Sequence, residues 1–169
     1  EEIGKIYRVD VGIVGDAKAT LQALIAALRA KGVKGDASRA ATVAARRAAW
    51  EQELVATQAD NGTPIHPARL LKEVADAVSP DTVFVTDVGW NKNGAGQQIT
   101  VTEPRSFLTS GGMATMGYAP AAAIGAKLGA PDRPVVCMVG DGGFLSVVGA
   151  LTTAVELNVP VLWILFNNF

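Results

Sequence analysis

The sequence has little that would suit a secreted, membrane-spanning or nucleic-acid-binding protein. Its one cysteine, Cys137, excludes an internal disulfide, and a reducing cytoplasm is the expected compartment. Apolar runs such as residues 161–166 fall far short of the roughly 18 residues that a membrane span needs. We find no signal-peptide pattern. Because Lys and Arg (15) nearly balance Asp and Glu (16) and are scattered, we expect neither nucleic acid nor membrane as partner.

What is present suits a globular α/β protein. Hydrophobic residues make up 49% of the 169 residues and charged residues 18%, enough apolar material for a substantial core. The chain begins at Glu1 without a methionine and ends at Phe169, so we expect it to be a piece of a longer protein.

The last third of the chain has the pattern of a β-α-β unit. Residues 135–139 are a short apolar run typical of a buried parallel strand, and the glycine-rich residues 140–143 predict a tight turn. Apolar residues at helical spacing predict a helix over residues 144–158. Residues 161–166 predict a second strand, which ends at Asn167-Asn168.

The topology of such a unit brings two polar side chains together. Parallel strands joined by a right-handed crossover run the same way, and ligands of open α/β sheets bind beyond their carboxyl ends. Asp141 and Asn168 follow those ends. Their oxygens suit Mg²⁺ or Ca²⁺, and the amides of a glycine turn at a helix N-terminus favour an anion. The sequence therefore predicts a metal-diphosphate site. The alternative is a tight turn and an Asn-rich strand end with no ligand.

The spacing carries a resemblance to a known family. Gly140-Asp141-Gly142, 24 further residues and Asn167-Asn168 resemble the thiamine-diphosphate (ThDP) motif of the acetolactate synthase and pyruvate decarboxylase superfamily. In that superfamily Asp141 and Asn168 would be metal ligands, and the backbone at Gly140, Gly142 and Gly143 would surround the diphosphate. The resemblance implies an α/β fold with a parallel sheet flanked by helices, incomplete here, and strands near residues 82–86, 106–109, 135–139 and 161–166.

The N-terminal part resembles the end of the superfamily's middle domain. Residues 6–9 and 11–16 are β-like, and an apolar stripe predicts a helix after them, with Asp16 as its cap. We assign residues 1–31 to a remnant of an α/β middle domain. That domain binds FAD in some members, and this remnant leaves FAD dependence open.

Residues 32–61 are predicted to be a linker, and residues 62–169 a truncated ThDP diphosphate-binding domain. Residues 37–58 can form a helix in which acidic and basic residues nearly balance, so an interdomain connection is favoured over a basic binding patch. His66 precedes Pro67 at the start of a predicted helix, and this position favours a structural N-terminal role over that of a catalytic base.

The strand at residues 82–86 ends in Asp87, which either caps its own loop or belongs to the site. In the resembled family the residues that follow contact the diphosphate. Gly89, Trp90 and Asn91 stand here where the synthases typically have Gly-Gln-His. The nearby Gly94-Ala95-Gly96 is not a dinucleotide-binding loop, because the third glycine of that motif is missing.

Residues 111–126 (GGMATMGYAPAAAIGA) resemble the family's GGLGTMGFGLPAAIGA. The resemblance implies that Met116 supports the bent cofactor and that backbone groups at Ala114 and Met116 bind its aminopyrimidine. Ala114 replaces a glycine of the family. The alternative for Met116 is an ordinary place in the core.

The resemblance implies a ThDP- and Mg²⁺-dependent transferase or lyase that makes or breaks carbon–carbon bonds in 2-keto acids or related carbonyls. The activating carboxylate would come from the N-terminal pyrimidine-binding domain of a neighbouring subunit in a homodimer or homotetramer, so no catalytic residue is assigned here. A further metal ligand would be residue 170. We therefore expect this polypeptide alone to be inactive. A non-catalytic Mg-diphosphate or nucleotide-binding module and an inactive assembly partner remain alternatives.

Overall fold

A computed structural model describes residues 2–168. The chain divides into two compact units, Glu1–Ala49 and Trp50–Phe169. Among the described residues, no helix is long and apolar enough to cross a membrane.

The first unit contains one whole helix and the first part of a second, which continues into the other unit, but no strand in its described part. Helix α1 (Ala17–Ala30) begins at Asp16, whose carboxylate accepts a hydrogen bond from the amide of Ala19 at 2.8 Å, so the predicted cap is confirmed. Helix α2 (Ala37–Gln58) has the predicted bounds. The β-like residues 6–16 form no strand, and that prediction was wrong, because no neighbouring strand among residues 2–49 supplies the hydrogen bonds of a ladder.

The second unit alternates helices and strands. Helix α3 (Pro67–Ala77) begins at His66, whose Nδ1 accepts from the amide of Ala68 at 3.1 Å, which confirms the structural role predicted for this histidine. The elements that follow are β1 (Val83–Thr86), α4 (Trp90–Gln98), β2 (Phe107–Thr109), α5 (Tyr118–Gly129), β3 (Val135–Gly140), α6 (Asp141–Ser146), α7 (Ala150–Glu156) and β4 (Leu162–Phe166).

The four strands form one parallel sheet in the order β2-β1-β3-β4. From β1 the chain goes to β2 on one side, and from β2 it crosses back to β3 on the other side of β1. The strand order therefore changes direction at β1. Open α/β sheets bind ligands at such a switch point, beyond the carboxyl ends of the strands. The predicted α/β class with a parallel sheet flanked by helices is confirmed.

Each face of the sheet is covered by helices. Side chains that alternate along the strands separate into two buried clusters. One cluster joins Phe84, Val136 and Met138 to Leu71 of α3 and Ala95 of α4. The other joins the remaining strand side chains to α5, and its buried members are Val83, Val85, Ala119, Ala123, Val135, Cys137 and Val139.

Two local predictions need correction. Asp141, Gly142 and Gly143 form the first turn of α6 rather than a turn outside a helix. The single helix predicted over residues 144–158 is two helices, since residues 147–149 form a turn between α6 and α7. Both differences follow from tertiary packing: Gly143 lies close to Asp87, and Gly117 lies close to Ser146 and Val147.

Candidate functional site

The strand register places the predicted metal ligands at one edge of the sheet. Gly140 of β3 pairs with Phe166 of β4. Asp141 therefore lies one residue beyond this last pair, and Asn168 lies two residues beyond it on the neighbouring strand. Asp141 is half-buried and Asn168 is exposed. A carboxylate and a carboxamide thus follow the carboxyl ends of adjacent parallel strands.

This pair of side chains would suit Mg²⁺ better than a metal that needs a full protein cage. Within residues 2–168, no group of three or more His, Cys, Asp and Glu side chains could hold a metal ion. Mg²⁺ is commonly bound through one or two carboxylates, while water and ligand phosphates complete its octahedron. Asp141 and Asn168 supply hard oxygen donors of that kind, so the donor set fits a metal that is bound together with a diphosphate.

A buried carboxylate behind this edge connects the surrounding segments. Asp87, which follows β1, is 1% exposed. Its Oδ1 accepts a hydrogen bond from the amide of Val88 at 2.8 Å, and its Oδ2 accepts one from the amide of Gly117 at 2.9 Å. A Cβ added to Gly143 would lie only 2.5 Å from Asp87 Oδ2. Glycine at position 143 is what permits α6 to start so close to this carboxylate.

The loop that contains Met116 lies against the start of α6. A Cβ at Gly142 would lie 3.2 Å from Met116 Cε, so the methionine reaches the Gly-Asp-Gly segment, although it is 57% exposed. The amide of Thr115 donates to Ser110 Oγ at 2.9 Å. Gly117, with φ of +81°, begins α5. Met116 is therefore not core, and it projects beside the predicted diphosphate-binding glycines.

Ala114 adopts a backbone conformation that favours glycine. Its φ is +51°, in the left-handed region, where an L-residue with a Cβ is strained by roughly 1–2 kcal/mol. The glycine of the resembled family would carry no such strain at this position. The loop nevertheless holds Ala114 in this left-handed conformation.

After Asp87 the chain bends at Val88 and Gly89 and enters helix α4. Trp90 is the first residue of α4, and its ring lies 6.4 Å from that of Phe166, the last residue of β4. Asn91 is buried, and its Nδ2 donates to the carbonyl of Val88 at 2.9 Å. Cβ atoms added at Gly89 and Gly140 would lie 3.8 and 3.9 Å from that nitrogen. Asn91 thus lies between the ends of β1 and β3.

Two buried oxygens, one at the end of β1 and one in the first turn of α4, have no hydrogen-bond partner within the described part of the chain. They are Asn91 Oδ1 and Thr86 Oγ1, both on residues with at most 4% exposure. Buried polar atoms in proteins are nearly always paired, so unpaired ones point to a missing water, ion or ligand. Their position beside the predicted site agrees with a polar ligand at this edge of the sheet.

The one thiol lies in the core. Cys137 is fully buried in β3. Burial, and secondarily the charge of Asp87, raise the pKa of the Cys137 thiol to about 12. The thiolate is the nucleophilic form of cysteine. Cys137 therefore has no role as a nucleophile at neutral pH, in agreement with its prediction as a core residue.

The comparison with protein families agrees with this geometry. Residues 87–169 match the thiamine pyrophosphate enzyme family in its C-terminal TPP binding domain. This range starts at Asp87 and includes every residue assigned to the site above. These residues belong to that family of ThDP-dependent enzymes.

Individual relatives indicate which kind of ThDP enzyme the chain resembles. The chain is 34% identical, over 99% of its length, to a protein named probable acetolactate synthase large subunit from Methanococcus aeolicus, of which it covers 30%. It is 36% identical to the acetolactate synthase large subunit of Corynebacterium glutamicum (99% of this chain, 26% of that protein). A sulfoacetaldehyde acetyltransferase from Castellaniella defragrans is 31% identical, over 98% of this chain and 31% of that protein. The chain is an acetolactate synthase-like member of the ThDP enzymes and spans about 30% of the length of these curated relatives.

Sequence reasoning left the role of Asp87 open between a loop cap and a site residue. The structure shows that it does cap its own loop, through Val88, and that it also binds Gly117. The second contact joins residues 30 positions apart, and no local pattern indicates it. The only available signal was the place of an aspartate directly after a buried strand.

Proposed function

We propose that this chain supplies the Mg²⁺-diphosphate half of a ThDP site in an enzyme that acts on 2-keto acids or related carbonyls. The observation that supports the proposal is that Asp141 and Asn168 follow the carboxyl ends of the paired strands β3 and β4, while Met116 lies against Gly142 at the start of α6. The family match supports ThDP as the cofactor. The names of the relatives support acyl- or aldehyde-transferring carbon–carbon chemistry of the acetolactate synthase kind.

Each residue has a separate task in this proposal. Asp141 and Asn168 hold Mg²⁺ through side-chain oxygens, and the metal neutralises the diphosphate. The amides of Gly142 and Gly143 donate to phosphate oxygens. When bound, ThDP supplies a nucleophilic carbon that adds to carbonyl groups. Met116, which lies against Gly142, would support the cofactor by contact with its apolar surface.

The backbone around the aminopyrimidine would come from the Met116 loop. Ala114 and Met116 offer main-chain groups there, and the left-handed Ala114 sets the direction of its own carbonyl. Gly89, Trp90 and Asn91 border the diphosphate from the β1 side. Because Asn91 Nδ2 already donates to Val88 O, its contribution to a phosphate is limited to the remaining hydrogen of that amide.

The rest of the enzyme is proposed from the resemblance. The carboxylate that activates the aminopyrimidine would come from a pyrimidine-binding domain of a neighbouring subunit in a cytoplasmic homodimer or homotetramer. We therefore propose that a polypeptide of residues 1–169 has no carboligase or decarboxylase activity by itself. The middle-domain assignment of residues 1–31, the linker at 32–61 and the diphosphate-binding domain at 62–169 are part of the same proposal.

The proposal is tested by calorimetric titration of the full-length protein with ThDP in Mg²⁺ and in excess chelator. Asp141→Ala should weaken Mg²⁺-dependent ThDP binding by at least about tenfold, because loss of even an outer-shell partner of a metal ligand typically costs about ten- to a hundredfold in metal affinity. Asp132→Ala, at an exposed carboxylate in the turn before β3, is the matched control and should leave affinity unchanged. Unchanged affinity in Asp141→Ala would exclude this residue as a ligand. Tighter binding of a nucleotide than of ThDP would favour a nucleotide-binding module.

A further inference from the structure

Asp87 is a buried carboxylate whose two oxygens are used by different segments of the chain. Oδ1 accepts from the amide of Val88, which follows β1, and Oδ2 accepts from the amide of Gly117, which begins α5. The Gly117 contact is buried. A third segment, the start of α6, approaches within the distance at which a Cβ on Gly143 would overlap Oδ2.

This use of both oxygens requires a carboxylate. Asparagine has the same shape but only one acceptor oxygen, so one of the two amides would face an NH₂ group instead. Hydrogen bonds to an ionised acceptor are shorter and stronger than those between neutral groups. The two bonds also hold the carboxylate in place against Gly143, because a rotation away from α6 would break one of them.

The bond to Gly117 bears directly on Met116. The amides on either side of this methionine are both fixed, Thr115 by Ser110 Oγ and Gly117 by Asp87 Oδ2. Ser110 lies at the surface end of the loop, whereas the Asp87 contact is buried beneath it. Met116 in turn reaches Gly142 at the start of α6. Asp87 thus contacts both the Met116 loop, at Gly117, and the start of α6, at Gly143. The distance between these two segments determines where Met116 lies relative to the glycines.

We infer that Asp87 is a positioning residue that fixes the Met116 loop against the Gly-Asp-Gly-Gly start of α6. It acts through the Gly117 amide and through its close approach to Gly143, without touching the cofactor. The inference rests on the proposed function only where it concerns the effect on ThDP chemistry. The positioning of the loop is a property of the protein without cofactor.

Hydrogen exchange of the full-length, cofactor-free protein tests the positioning directly. Asp87→Asn should speed exchange of the hydrogen-bonded amides of Thr115 and Gly117 by about ten- to a hundredfold, the change that follows loss of one hydrogen bond to a charged group. Asp81→Asn is the matched control, because Asp81 is an exposed carboxylate before β1 and its partner is Ser79 Oγ. Unchanged exchange of the loop in Asp87→Asn would overturn the inference.

The unmutated protein gives a second test that does not depend on whether the variant folds. The Gly117 amide should exchange at least about tenfold more slowly than the amide of the exposed Gly112, because its hydrogen bond is buried and charge-assisted. Equal exchange of these two glycines would show that the Asp87 contact does not hold the loop.

A double-mutant cycle tests the link to Met116. If Asp87 acts through this methionine, Asp87→Asn and Met116→Ala should each lower turnover at saturating ThDP, and the double variant should lose less than the product of the two effects. Independent effects that multiply would refute the link. If the unmutated protein does not bind ThDP, the proposed function fails, while the exchange experiments still decide whether Asp87 fixes the loop.

Discussion

Substitution of Gly143 by alanine is the sharpest structural test of the site. The added Cβ would lie 2.5 Å from Asp87 Oδ2, 3.2 Å from Asp87 Cγ and 3.3 Å from Val139 Cγ2. The carboxylate cannot retreat without breaking its bond to Val88 or Gly117. Overpacking of this kind costs about 1–3 kcal/mol, and loss of a hydrogen bond to a charged group costs about 1.5–3 kcal/mol.

One effect opposes this cost. Alanine is favoured over glycine in helices by about 1 kcal/mol, which offsets part of the strain in α6. With both costs added and the helix gain subtracted, we expect Gly143→Ala to lower the free energy of unfolding by about 1.5–5 kcal/mol. In a domain of this size, each kcal/mol corresponds to a fall in Tm of about 2–4 °C.

Gly142→Ala is the matched control, one residue earlier in the same helix. Its Cβ would meet only Met116 Cε, at 3.2 Å, the far end of a flexible and half-exposed side chain that can move aside. Thermal unfolding of the two full-length variants without cofactor should show a clear loss of Tm for Gly143→Ala and no loss, or a small gain, for Gly142→Ala. Equal melting temperatures for both variants and the parent would refute the close packing of Asp87 and Gly143.

Two further predictions concern single side chains. Met116→Ala in the full-length enzyme should reduce turnover more than it reduces ThDP affinity, because the metal and diphosphate contacts remain. Steady-state kinetics measures the turnover, and parallel titrations measure the affinity. Unchanged turnover would mean that Met116 does not support the cofactor. Because its pKa is raised to about 12, the Cys137 thiol should be ~0.01% ionised at pH 8 and resist iodoacetamide until the protein unfolds. Native labelling of the Cys137 peptide, detected by mass spectrometry, would contradict this.

The sheet was predictable from the sequence because its strands are short apolar runs followed by polar residues or glycine. The run 135–139 illustrates this, since the structure extends it only to Gly140. Helix α4 was not predicted. Its sequence, WNKNGAGQQ, contains two glycines and little apolar periodicity. It is helical because the missing side chain at Gly94 lets Trp90 and Leu71 pack closely against the backbone of α4. No local sequence pattern indicates this tertiary contact.

The β-like residues 6–16 illustrate the opposite failure. Their apolar pattern indicates a strand, but a strand needs a partner, and the described part of the first unit contains none. The break between α6 and α7 has a similar origin. A Cβ on Gly117 would lie 2.9 Å from both Ser146 Oγ and Val147 Cγ1, so the start of α5 packs tightly against the residues where α6 ends.

The candidate site was predictable where its residues follow one another along the chain. Asp141 and Asn168 could be placed together because a β-α-β unit fixes the relation of its strand ends. Contacts across the sheet could not be predicted in this way. The bond from Gly117 to Asp87 and the approach of Met116 to Gly142 depend on how α5 and α6 pack. Spacing in the sequence does not indicate that packing.

The central claim is that Asp141 and Asn168 hold the metal of a bound ThDP. The most direct test is a crystal structure of the full-length protein with ThDP and Mn²⁺ in place of Mg²⁺, with anomalous diffraction to locate the metal. We predict one anomalous peak about 2–2.3 Å from side-chain oxygens of Asp141 and Asn168, with the diphosphate against Gly142 and Gly143. A metal peak or a diphosphate away from these residues would contradict the account.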